Sequence, residues 1–585
     1  MFSDLKIPAP LAPARLLIYR PDLTRQKRQR RRAAALAASV GRGVAAVDVL
    51  AGWLNVNTDQ DVGDLESLLA DRFTMHLAEL APSERADADA EAVHAQLALE
   101  LGWKSLRGHG PREVLRVLHL AGPDGAPRPT VEKVARGGSG AVDDVLSAAF
   151  AVVDGDRVKL GPCLRDFVGA RLDRPAARRE RVQRWLSEVR VDLDADLPGI
   201  ESAGALAMEL AAADSQADLA AALALSLAGR LRMQRKLDSA RAAVVKGRAG
   251  LERDDARVTA LRSALDLELA MIELASGDPS ATLARLDRAE QGIEGASPKD
   301  AAATADLRTR VRIVRAQAHL AAGRAKEALG LLEEQAGGVC EIVRLQTVAG
   351  ALLELGTGDP GAVAGAVEGE AKSILPPDSS LGAAVALTRA RTEPDEGVDP
   401  LLERARVLAG GNLDRPASPA LPLALHELGA RAAGRGEFES AATLLDEASM
   451  LAASLLPRRH PLRCTIAYTR GLLLLSVGET ARAERHLERA VDGWKGLGAS
   501  AHPRALLARA TRSWLDTTER GRSGRVAAEA MAEATDELAE QLGPDHATVV
   551  RLRSLHEAAV KAGGGQNDET PTVGRGFGDG RHAQD

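Results

Sequence analysis

The chain has 585 residues, a formal net charge of −6 and an isoelectric point of about 6.1. It is too long for one compact core and too acidic overall for a dedicated nucleic-acid binder, so it reads as several domains or an elongated array. Hydrophobic residues make up 45% but aromatics only 2%, so the core must be built from Ala, Leu and Val, a composition that suits closely approaching helices. Cys163, Cys340 and Cys464 lie far apart with no CxxC pair, which excludes a disulfide framework and a zinc ribbon and fits a reducing, cytoplasmic setting.

The first 32 residues hold nine basic side chains, Lys6, Arg15, Arg20, Arg25, Lys27, Arg28, Arg30, Arg31 and Arg32, against Asp4 and Asp22. The segment therefore carries +7 and leaves −13 for the rest of the chain. "RQKRQRRR" fits either a grip on phosphates or an acidic partner, or the solvated entry to the helix that follows. The start is broken by Pro and Arg and lacks the continuous apolar core of a signal peptide. No apolar run approaches the roughly 18 residues that span a membrane.

Residues 33–106 carry helical patterning, notably "AAALAASVGRGVAAVDVLAGWL" (Ala33 to Leu54) and "AVHAQLALELGWKSL" (Ala92 to Leu106). From 107 to 195 the pattern changes. "HGPREVLRVLHLAGPDGAPRPTVEKVA" predicts a helix, a Gly/Pro turn and a short second helix, and "AVDDVLSAAFAVV" a third. It runs into two β-branched pieces, Val152-Val153 and Arg157 to Leu160, around Asp154-Gly155, the favoured chemistry for a tight hairpin. Helix, turn, helix, helix and hairpin in this order predict a winged helix. The acid- and Pro-containing "VDLDADLPGIESAG" from about 191 interrupts the helices and sets a boundary near 195.

From 205 to 562 helical segments recur. "GEFESAATLLDEASML" and "GETARAERHLERAVDG" align Gly436 with Gly478, Ala441 with Ala483, Leu445 with Leu487 and Ala448 with Ala490 at a spacing of 42, and His460-Pro461 aligns with His502-Pro503. Each block is preceded by a first helix, "LALHELGARAAGR" or "CTIAYTRGLLLLSV". Glycine permits the tight turn, alanine the close approach, and leucine fills the interface. Weaker copies lie at Leu223 to Gly247, Glu268 to Glu290 and Ala316 to Ala336, with two eroded copies between 341 and 410. About eight helical hairpins are expected, each burying its face against its neighbours. Residues 563–585 are Gly-rich and polar and predict a disordered tail.

These repeats resemble tetratricopeptide repeats in the 42-residue form of kinesin-light-chain-like arrays. "LGPDHATVV", from Leu542, resembles that subfamily's linker, with Ala547 in place of its proline. The 33–195 region resembles the helical and winged-helix part of STAND ATPases, the NB-ARC-type signalling family. There a motif closing the winged helix is matched by Arg157, Leu160, Leu164, Arg165, Asp166 and Phe167. The resemblance implies a mainly α fold: an N-terminal helical domain, a winged helix with a small hairpin, and an α-solenoid.

Two departures limit what that family implies. No GxxxxGK[ST] occurs; the Lys-Ser pairs at Lys104 and Lys372 lack the Gly immediately before Lys that a phosphate cradle requires, and with about 30 residues before the helical region no nucleotide-binding domain is expected there. The family's phosphate-contacting histidine falls at Gly161. The expectation is a non-enzymatic interaction scaffold or regulator of bacterial signalling type, binding protein through its repeat groove, with no catalytic, cofactor or metal residues and no cofactor; the groove residues and the partner are unknown from sequence.

Two alternatives stand beside it. One is the P-loop-less half of a split STAND ATPase, acting with a P-loop ATPase chain. The other is a transcription regulator using the basic start, residues 1–32; direct DNA reading by the winged helix itself is disfavoured by Asp143 and Asp144 near the start of its third helix, because carboxylates repel phosphate. Nucleic acid and membrane are not expected partners.

Several local patterns have plainer readings. His460 and Cys464 at i,i+4 suggest a nucleophile pair, but His-Pro recurs at 502 without a cysteine, so a linker role is expected. Asp545-His546 belongs to the linker motif. "GGSG" at 137–140 reads as a loop rather than an anion cradle, and Trp53, Trp103, Trp185, Trp494 and Trp514 as packing anchors.

Overall fold

In the computed structural model the chain is mainly α-helical, with thirty helices and three short strands among the described residues. These are residues 6–86, 89–161, 164–171, 175–194, 200–213, 216–249, 251, 256–294, 301–375, 380–392, 398–409, 420–458, 460–520 and 524–564. Cys163, most of the 195 boundary and the tail from 565 lie outside them. Two compact units divide the chain: residues 1–230 with 245–251, and residues 231–244 with 252–585.

The first unit opens with α1 (Ala12–Leu16), α2 (Pro21–Thr24), α3 (Lys27–Ser39), α4 (Val44–Val56), α5 (Val62–Glu79), α6 (Pro82–Ala86) and α7 (Ala90–Ser105). Helix α4, "VAAVDVLAGWLNV", is apolar nearly all round and becomes the central rod; Val47, Leu50, Leu54 and Trp53 are buried in one core with Leu36, Leu65 and Leu69. Asp61 and Asp64 form a reciprocal capping box that starts α5.

Next come α8 (Gly110–Leu120), β1 (Ala126–Pro127), α9 (Arg128–Ala135), α10 (Gly138–Ser147), β2 (Ala151–Asp154) and β3 (Arg157–Leu160). The strands form an antiparallel sheet in the order β1-β3-β2. Asp154 pairs with Arg157, so the hairpin loop is Gly155-Asp156, one residue later than the Asp154-Gly155 expected from sequence. Gly155 there adopts φ +63°, a left-handed value that costs glycine nothing. The strand β1, two residues long, was not expected. The unit continues with α11 (Leu164–Gly169), α12 (Pro175–Asp194) and α13 (Glu201–Ala213), and a buried ion pair ties α12 to α8: Arg181 donates to both Glu113 oxygens at 2.6 and 2.9 Å. The division between units runs through α14 (Ala217–Met233) and α15 (Leu237–Arg248).

The second unit contains α16 (Ala256–Ala275), α17 (Pro279–Glu294), α18 (Ala301–Ala321), α19 (Ala325–Gly330), α20 (Gly338–Leu355), α21 (Pro360–Ile374), α22 (Ser380–Thr392) and α23 (Val398–Ala409). It ends with α24 (Ala420–Gly434), α25 (Phe438–Leu455), α26 (Pro461–Ser476), α27 (Thr480–Gly496), α28 (Pro503–Arg520), α29 (Gly524–Leu542) and α30 (Ala547–Gly564). From α16 to α29 consecutive helices pair as hairpins, and first helices also touch the next first helix, as α18 does α20 and α24 does α26. The first helices α24 and α26 carry no exposed side chain before their final residues, whereas α25 and α27 expose a continuous outer face.

The 42-residue spacing has a steric basis. Ala441, Leu445, Ala483 and Leu487 are fully buried. A Cβ on Gly429 would fall 2.8 Å from Leu445 Cγ, and one on Gly471 2.9 Å from Leu487 Cδ2. Each first helix therefore presents bare backbone to its partner's leucine, and the two approach closely. Helix α19 stops at Gly330, short of the helix expected to Ala336. Arg344 donates to Leu332 O at 2.6 Å and Glu341 accepts from Ala336 N at 2.8 Å, so side chains satisfy the backbone that a longer helix would have paired.

Candidate functional site

Among its described residues, the segment closing the hairpin packs against apolar side chains. Gly161 follows β3; its N–H donates to Phe150 O at 2.8 Å, and a Cβ there would lie 3.0 Å from Leu164 Cδ1 and 3.4 Å from Phe150 O. A side chain at this position would need Leu164 to shift by a few tenths of an ångström. Leu164 and Phe167 are buried, and Phe167 packs edge-on to Trp103 with ring centroids 6.1 Å apart. Arg171 lies over the Phe167 ring at 3.6 Å and pairs with Glu100 at 3.2 Å. Of the other motif positions, Arg157 donates to Gly125 O and Ser202 Oγ, Arg165 is half-buried, and Asp166 is exposed.

Gly137 and Gly110 let α10 and α8 meet: a Cβ on Gly137 would fall 2.7 Å from Ala141 Cβ and 3.4 Å from Gly110 Cα. This close approach accounts for Gly137, and the left-handed φ of +67° for Gly138. Asp143 pairs with Arg128 at 2.9 Å and Asp144 is exposed, so α10 keeps carboxylates near its N-terminus.

The second unit gathers polar groups at its linkers. His460 caps α26, its Nδ1 accepting from Leu462 N at 3.2 Å. His502 Nδ1 accepts from Arg504 N at 3.1 Å, and His546 Nδ1 accepts from Thr548 N at 3.3 Å. The three residues are thus imidazole caps on α26, α28 and α30, a job that needs a neutral ring because a protonated Nδ1 accepts nothing. The surroundings keep them neutral. Burial, then Arg235 and Arg463, push His460 down to about 4; burial, then Arg504, push His502 to about 4. His546 is lowered by burial as well. His502 also stacks on Trp494, with centroids 4.4 Å apart.

The same linkers touch hairpins far back in the sequence. Arg504 donates to Glu354 at 2.6 Å across 150 residues. Burial alone would raise the Glu354 carboxyl, but Arg504, with Arg391 and His502, holds it down at about 2. A Cβ on Gly323, in the α18–α19 turn, would collide with Pro503, and one on Gly356, after α20, would lie 3.2 Å from His546 Nε2. Turns of early hairpins therefore lean on the linkers of late ones. Along the row of first helices, His426 Nε2 meets Thr469 Oγ1 at 2.8 Å and Tyr468 OH meets Thr511 Oγ1 at 3.2 Å, both pairs 43 residues apart.

Cys464 is buried, its thiol is pushed up to about 11 by burial, and its Sγ lies 3.7 Å from the His460 carbonyl oxygen rather than bonding to the ring. With His460 Nδ1 committed to Leu462 N, the pair is arranged for packing and capping. Trp53, Trp185, Trp494 and Trp514 are buried; Trp103 is half-buried against Phe150 and Phe167. Among the described residues no three His, Cys, Asp or Glu side chains cluster as metal ligands, and no helix is long and apolar enough to cross a membrane.

No family model matches the chain, and no curated protein matches it. Among solved structures, a STAND protein with a tetratricopeptide repeat sensor from Pyrococcus horikoshii aligns over 95% of this chain and 73% of its own, at 12% identity and a TM-score of 0.34. At that score the likeness carries no inference.

Proposed function

We propose that this chain is a non-enzymatic interaction scaffold or regulator. Residues 33–106 form a STAND-like helical domain, 107–195 a winged helix, and 205–562 a tetratricopeptide-type superhelix that holds a segment of a partner protein against its first helices. The observation that carries this is the run of paired helices from α16 to α29, whose first helices keep a continuous row of half-buried side chains, such as Thr469, apart from the exposed outer faces of the second helices. Such a row suits an extended peptide, which satisfies its own backbone on side-chain hydroxyls and amides.

The test is affinity purification of the tagged chain, followed by hydrogen exchange on the purified complex. Protection on α24, α26 and α28 is expected. Protection confined to the outer faces of α25 and α27, or to residues 1–200, contradicts groove binding.

A second reading, half of a split STAND ATPase, is favoured by one observation: the helix–strand–helix–helix–hairpin order of residues 110–160 with its β1-β3-β2 sheet, which supports a winged helix of the kind that family carries. Co-purification with a P-loop ATPase chain would establish it. Sequence reading of DNA by α10 is disfavoured by exposed Asp144 and by Asp143.

A further inference from the structure

The nine basic residues of the first 32 do not share one fate. Four are paired: Lys6 with Glu91, Arg15 with Asp48, Arg20 with Asp22 and Arg32 with Glu66. The other five, Arg25, Lys27, Arg28, Arg30 and Arg31, are exposed and have no carboxylate partner among the described residues. Helix α3 buries Gln29, Ala33, Leu36 and Ala37, which turns the rest of its first two turns to solvent. Its first turn contains no acidic residue and its N-cap, Gln26, makes no side-chain cap. Cations there oppose the helix dipole, an arrangement that a bound anionic surface relieves. Ile18 and Tyr19, 64% and 45% exposed, lie just before this cluster in the chain.

The chain carries a counterpart. From Val526 to Val550 there is no Lys or Arg. On α29 Glu533, Asp536 and Glu540, spaced i, i+3 and i+7, form one exposed stripe opposite the buried Met531, Ala534 and Leu538. None of the three has a cation partner among the described residues, whereas their neighbour Glu537 is paired with Arg509 at 2.7 Å. Val526, 71% exposed, sits at the start of the same helix.

We infer that the partner of the α3 cations is the α29 stripe of a second copy of this chain, so that the protein associates head to tail. The two surfaces are opposite in charge, and both are helical with exposed apolar side chains nearby. A duplex nucleic acid fits less well, because specific complexes draw on many phosphate contacts spread over a wide basic face, and here Asp22 and Glu66 border the cluster. A head-to-tail contact uses two different surfaces, so it builds chains of copies or closes into a ring. Exposed charge pairs set orientation and salt dependence more than strength, which makes the association weak and screened by salt.

Sedimentation velocity of the full chain tests this. Wild type is expected to form concentration-dependent larger species at low salt and to lose them in roughly 0.5 M salt, where screening extends only a few ångströms. Arg28→Glu with Arg31→Glu should abolish association, as should Glu533→Arg with Asp536→Arg, with helicity by circular dichroism unchanged in both. Mixing the two charge-reversed proteins should restore it, because each then supplies what the other lacks. A wild-type monomer at low salt overturns the inference, including the case where α3 instead retains duplex DNA or anionic vesicles. So does association that survives either reversal, or a mixture that stays monomeric.

Discussion

Lowering the pH should loosen the second unit through its imidazole caps, and His502 shows by how much. Its ring is buried, stacked on Trp494, and held near 4 by burial and by Arg504, with only Glu354 pulling the other way. In the unfolded chain the same ring titrates near 6.5. Above 6.5 both states are neutral and the shift has no effect. Between 6.5 and 4 the unfolded state takes up a proton that the folded state refuses, so stability falls as pH falls, and levels off below 4. By pH 4.5 this costs about 2.5 kcal/mol, roughly 70-fold in the local opening equilibrium. The assay is hydrogen exchange on peptides from α27 and α28 at pH 7 and pH 4.5, corrected for intrinsic rates. His502→Asn keeps a side-chain oxygen to accept from Arg504 N but does not titrate, so it should remove the share of the pH dependence that His502 contributes, leaving that of His486 on α27, which burial also pushes down to about 4, while losing about 1 kcal/mol of ring stacking at pH 7. Equal protection of wild type at the two pH values, or an NMR titration of His502 near 6.5, would refute the reasoning.

Three further outcomes follow from the same contacts. Leu487→Ala, at a fully buried position facing Gly471, should cost about 2–5 kcal/mol in denaturant titrations, and Gly471→Leu about 1–3 kcal/mol by overpacking; a loss under about 1 kcal/mol from the alanine change contradicts the close approach. Glu354→Gln should raise exchange at the end of α20 and the start of α28 by about 1–2 kcal/mol, a figure discounted because both side chains keep some solvent contact. With the carboxyl held at about 2 against 4.5 normally, the wild-type contribution is complete above pH 4.5 and is lost as pH falls toward 2, a dependence Glu354→Gln should lack. Glu113→Ala, which leaves Arg181 buried without its carboxylate, should destabilise the first unit by about 3–5 kcal/mol.

Much of the architecture was legible where it is encoded locally. The matched Ala441/Ala483 and Leu445/Leu487 report burial one repeat apart, and small residues at fixed spacing report helices in close contact. Gly429 and Gly471, also 42 apart, carry the same signal in the first helices. The hairpin at 151–160 was visible as two β-branched runs, but its loop register was not, since Asp154-Gly155 and Gly155-Asp156 are both good turn pairs and cross-strand pairing decides between them. The strand β1 is two residues long, too short for any periodicity. The His-Pro linkers were recognisable as linkers; that the rings cap helices follows only from rotamers and burial. Glu354 and Arg504 meet across 150 residues, and no local pattern signals such a pair. Nor does sequence separate the five cations of residues 25–31 that have no carboxylate partner among the described residues from the four that find one.

The most direct test of the central claim is calorimetric titration of the purified full chain with ATP and Mg²⁺, alongside a phosphate-release assay. A scaffold with no GxxxxGK[ST] in its sequence and Gly161 packed against Leu164 should give no binding heat and no hydrolysis above buffer. Tight, saturable ATP binding by the chain alone would contradict the account.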